Sequence, residues 1–111
     1  MSAKIEWPER IYMPRPGEFT IGVYKNGRGQ CCLVGWARRS FSERDDACNS
    51  PWEGRYGKAF MEFSRAMHDA VEARGFACVL SFNDSYTTDE ERAALYREVA
   101  AQFDYEEDLT S

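Results

Sequence analysis

Apolar residues recur at helical spacing in two stretches of the chain. From about Tyr56 to Arg74, the residues Phe60, Phe63, Met67, Ala70 and Val71 share one face of a 3.6-residue period, and Gly75 stands where a helix-ending glycine belongs. From Thr88 to about Phe103, a second stripe is made by Leu95, Tyr96, Val99 and Phe103. Thr88-Asp89-Glu90-Glu91 reads as its capping box, with acids at the positive end of the helix.

Two other stretches read as strands, one by alternation and one as a short apolar run. Phe19, Ile21 and Val23 alternate with Thr20, Gly22 and Tyr24, and Asn26-Gly27 follows, a pair that tolerates positive φ and favours a hairpin. Phe76-Ala77-Cys78-Val79-Leu80-Ser81-Phe82 is an apolar run too short for a typical helix, which suggests a buried strand ended by Asn83-Asp84-Ser85. Residues 31–41 fit both periods. Cys31-Cys32-Leu33-Val34 would complete the hairpin, while Leu33, Trp36, Ala37 and Phe41 share a helical face, so a short strand leading into a helix is expected. Ser50-Pro51-Trp52-Glu53 has the signature of a helix start, weakened by Gly54 and Gly57.

These elements predict an α+β fold: a small antiparallel sheet (hairpin 18–34 plus strand 76–82) packed against two main helices (56–74 and 88–103). At 111 residues, with 43% hydrophobic and 30% charged residues, a single domain spanning 1–111 is expected. Prolines at 8, 14 and 16 make residues 1–17 an extended arm, and residues 104–111 read as a frayed acidic tail. No apolar run approaches the ~18 residues of a membrane span. No secretory h-region opens the chain, so a cytoplasmic location with free thiols is expected.

Charge is divided along the chain. Residues 1–44 hold eight Lys/Arg and four Asp/Glu, whereas residues 45–111 hold six and fifteen. An acidic second half repels nucleic acid and anionic lipid and attracts basic protein surfaces. Glu91, Glu98, Asp104, Glu106 and Glu107 are the candidate acidic contacts, and Trp36, Arg38 and Arg39 add residue types common in binding hot spots. The opposed charges of the two halves would also permit self-association.

Other chemistries find less support. Cys31, Cys32, Cys48, Cys78 and His68 lack the C-x₂₋₄-C spacing of a zinc grip, so no metal or other cofactor is expected. A cysteine hydrolase would use Cys31 or Cys32 with His68 and Asp84, and Gln30 could donate to an oxyanion, but nothing local orients the single histidine. No phosphate-binding glycine loop occurs.

The segment Gly29-Gln30-Cys31-Cys32-Leu33-Val34-Gly35-Trp36, followed by Phe82-Asn83-Asp84 and a helix start containing Glu90-Glu91-Arg92, resembles a pattern in small uncharacterised proteins of phages and bacterial mobile elements. The resemblance implies no catalytic residues. It implies a setting in which short acidic proteins act as inhibitors of host nucleic-acid machines, CRISPR effectors included. The sequence reading is therefore a non-enzymatic protein-binding module.

Overall fold

The structure is a computed structural model that describes residues 5–43, 47, 51–85 and 87–105. Among the described residues there are four helices: α1 (Leu33–Phe41), α2 (Gly57–Ala73), α3 (Val79–Asp84) and α4 (Asp89–Ala101). Among the described residues there is no strand, only two isolated bridges, Phe19 with Cys31 and Lys25 with Cys31. The expected α+β fold with its antiparallel sheet is thus corrected to an all-helical fold with long irregular connections.

The two long helices form as their periodicity predicts. Phe60, Phe63, Met67 and Val71 of α2 are buried, and so are Leu95, Tyr96 and Val99 of α4. Gly75 (φ +88°) ends α2 in a Schellman turn: its N–H bonds Glu72 O and that of Phe76 bonds Val71 O. Thr88 caps α4, its Oγ1 accepting the Glu91 N–H at 3.2 Å. The chain leaves α4 through the same kind of turn, with Asp104 at φ +66° in place of glycine. The Ser50 cap proposed for a preceding helix lies outside the described residues, and residues 52–56 make turns before α2.

Both expected strands fail for identifiable reasons. The 76–82 run has no neighbouring ladder, and Cys78 instead caps α3, its Sγ accepting the Ser81 N–H at 3.4 Å. Only Phe82 of that run is buried, edge-on to Phe76, while Leu80 is exposed. In the 18–34 segment Phe19 is buried but Ile21 and Val23, meant to share its face, are 55% and 52% exposed. Gly22 at φ +79° breaks the alternation between them. The Asn26 side chain builds the following turn by accepting the N–H groups of Arg28 and Gln30, an Asx-type loop rather than a tight hairpin.

The core lies between α1, α2 and α4, and the Pro-rich arm closes it. Phe63 meets the rings of Phe41, Tyr96 and Phe103. Trp7 stacks on Phe103 at 4.7 Å, Tyr105 Oη donates to Pro8 O, and Ile11 and Met13 are buried. Ser40 is the polar centre of this core, accepting the Tyr12 N–H, donating to Trp36 O and lying 3.1 Å from Tyr96 Oη. Every buried hydroxyl in that group has a partner, as burial demands.

Candidate functional site

A cleft of about 520 Å³ opens between the loop of residues 22–25 and the beginning of α1 on one side and α3 on the other. Its size suits a small ligand or part of a peptide. The loop lines it with Gly22, Val23, Tyr24 and Lys25, α3 lines it with Leu80 and Asp84, and Cys32, the cap of α1, completes the lining.

Cys31 seats the loop from both ends. Its N–H donates to Glu18 O and its carbonyl accepts from Thr20 N, while Cys32 N–H donates to Tyr24 O. Gly35 makes this approach possible, since a Cβ there would stand 2.2 Å from Tyr24 O. The Arg38 guanidinium covers the Tyr24 ring at 4.2 Å.

The α3 side is fixed by Asn83, which is fully buried. Its Oδ1 accepts the Leu33 N–H at the start of α1, and its Nδ2 donates to Thr20 O and to Asp84 Oδ1. Arg92 then fastens the end of α3, with Nε on Asn83 O at 2.8 Å and Nη1 on Asp89 at 2.7 Å. Asp84 accepts the Gly22 N–H on Oδ1 as well, so among the described residues both of its side-chain hydrogen bonds use one oxygen and Oδ2 has no donor. Lys25 has no ion pair among the described residues. The cleft therefore combines a held carboxylate, an exposed ammonium and an aliphatic rim.

The thiols differ according to their surroundings. Burial pushes both Cys31 and Cys32 up, although Arg39 opposes this at Cys31 and the Gly35 N–H opposes it at Cys32. Cys32 Sγ caps α1 by accepting that N–H at 3.3 Å. Cys78 is exposed, and the Ser81 N–H on its sulfur holds it below the ordinary thiol value. His68 sits on α2 with Nε2 3.4 Å from Glu72 and does not line the cleft. The Gln30 amide is occupied at both ends, donating to Gly17 O and accepting from Asn26 Nδ2. Cys48 lies outside the described residues. Among the described residues, no group of three His, Cys, Asp or Glu side chains is placed to hold a metal ion. Among them too, no helix is long and apolar enough to cross a membrane.

The residues expected to bind a partner are dispersed. Trp36 is buried and donates from Nε1 to Glu18 O. Arg39 lies over the rings of Tyr12 and Trp36 and bonds Tyr12 Oη, so its guanidinium is held within the fold. Glu91 and Glu98, seven residues apart, lie on the exposed side of α4, with Glu98 paired to Arg74 at 2.8 Å. Asp104 is exposed in the turn after α4, and Glu106 and Glu107 lie outside the described residues. Sequence reasoning did not single out Val23, Lys25 or Leu80 as site residues. Their only available signal was an apolar residue beside a polar one in a segment read as strand. Comparison with protein-family models, curated proteins and solved structures finds no match for this chain.

Proposed function

We propose that this chain is a non-enzymatic protein-binding module whose contact surface is the cleft between the 22–25 loop and α3. The single observation that supports this reading is the rim: Val23 and Leu80, large aliphatic residues 52% and 40% exposed, line one cleft, with Ile21 at 55% on the same loop. Exposed aliphatic side chains gathered around a concavity gain free energy when a partner covers them. Ile21 and Val23 add nothing to the core, so their exposure is free to serve contact. The net charge of −5 gives the surface a bias toward basic partners.

The test compares capture by the full chain with capture by the Val23→Asp/Leu80→Asp double variant, from nuclease-treated bacterial lysate read by mass spectrometry. A protein held stoichiometrically by the native chain and lost from the variant, with unchanged circular dichroism, is the expected result. The same proteins captured by both chains, or no stoichiometric protein captured by the native chain, would overturn the reading.

A further inference from the structure

We infer that the cleft takes a short peptide segment of the partner in which an apolar side chain is followed or preceded closely by a lysine or arginine. This inference rests on the binding-module reading and specifies the chemistry of its partner. The apolar requirement comes from Val23 and Leu80, which stand exposed in the lining of the cleft, one from the loop and one from α3. The basic requirement comes from Asp84. Its Oδ1 is held by Gly22 N–H at 3.2 Å and Asn83 Nδ2 at 2.9 Å, which orients the carboxylate and leaves Oδ2 as an acceptor without a donor among the described residues. Asn83 is itself fully buried and anchored on the Leu33 N–H, so the carboxylate is positioned before any partner arrives. A positioned acceptor loses little freedom on binding and favours a cationic donor.

Lys25 carries the opposite charge on the same cleft, and the two groups are not equivalent. Its ammonium ends a flexible four-carbon stem and no described residue holds it, so it can withdraw into water when a cation enters. Asp84 has no such freedom. The fixed group therefore offers a charge in a defined position, and the lysine modulates it.

The experiment screens a library of acetylated and amidated nonapeptides against the full chain, then measures the enriched peptides by fluorescence anisotropy against Asp84→Asn and Lys25→Glu. Asparagine keeps the Oδ1 that Gly22 and Asn83 use, so the loop stays seated while the charge is removed. The expected result is enrichment of a large apolar residue with Lys or Arg within three positions. Affinity should fall about fivefold in Asp84→Asn, the upper range for an exposed ion pair. It should hold or rise in Lys25→Glu, and weaken with added salt. Enrichment of apolar residues beside acids, or indifference to both Asp84→Asn and salt, would overturn this inference while leaving the binding-module reading standing. If no apolar motif is enriched, or if enrichment survives Val23→Asp/Leu80→Asp, both fail together.

Discussion

The half of the molecule built from α2, α4 and the N-terminal arm is held by area, whereas the half built from the 18–32 loop and α3 is held by points. In the first, rings interlock: Phe63 touches three other aromatic side chains, and Trp7 brings the arm onto Phe103 and Phe41. In the second, few apolar side chains are buried, and single hydrogen bonds from Asn83, Asp84 and Cys31 carry the arrangement. Apolar contact is non-directional and tolerates small movements, so it stabilises without defining a surface. Hydrogen bonds to individual backbone groups define a surface, yet each contributes only about 1 kcal/mol. Ile5 on the arm and Met61 on α2 are exposed on the first half, but the exposed aliphatic residues that line the cleft, Val23 and Leu80, lie on the second, where position is specified by geometry rather than by burial.

Substitutions that address one half at a time would break or sharpen this contrast. Phe63→Ala removes the ring at the centre of the packed half, and a loss of ~3–5 kcal/mol is expected in urea unfolding. A cost below 1 kcal/mol would show that the ring cluster does not dominate stability. Asn83→Ala strips partners from the Leu33 N–H and the Thr20 carbonyl, and about 1–3 kcal/mol per group left unsatisfied is expected. Hydrogen exchange should then accelerate most in residues 20–25 and the first turn of α1. Uniform acceleration across α2 and α4 would contradict a division into two halves.

Alkaline pH acts on the packed half through its tyrosines, and on the other half through Cys31 and Cys32, which burial also raises. Burial pushes Tyr105 from an ordinary value of 10.0 up to about 12, and burial raises Tyr96 as well. A folded value above the unfolded one means that the stabilisation is intact below about pH 10 and is lost as pH climbs toward 12. The unfolding midpoint should drop across that window, and Tyr105→Phe should make the drop shallower. The substitution also removes the bond to Pro8 O, which costs ~1 kcal/mol at neutral pH. The smallest effect expected is a gain. Asp104 occupies a left-handed conformation after α4, and Asp104→Gly should stabilise by ~0.5–1 kcal/mol in the same urea measurement.

The legible parts of the sequence were those where local period and global burial agree. The apolar stripes of α2 and α4, the Gly75 stop and the Thr88 cap all emerged with bounds close to those expected. The helical reading of Leu33, Trp36, Ala37 and Phe41 also held, because all four are buried on one side of α1. The segments at 18–34 and 76–82 were misread because strand periodicity is only a condition for a sheet, and a sheet also needs partners in register. The candidate site was hidden for the same reason. Val23 and Leu80 are 57 positions apart in the chain, and each was assigned to the core of a sheet that does not form.

By itself, then, the sequence determined which segments become long helices, where those helices stop, and that the chain carries a net negative charge concentrated in its second half. These follow from local spacing, caps and composition, each of which a window of a few turns contains. The tertiary structure alone decided that Cys32 and Cys78 cap helices, that Trp36 and Arg39 belong to the fold, and that Asn83 joins α1, α3 and the loop around one cleft. Those outcomes depend on single hydrogen bonds and ring contacts between distant residues, where a few ångströms decide whether a side chain is a support or a contact.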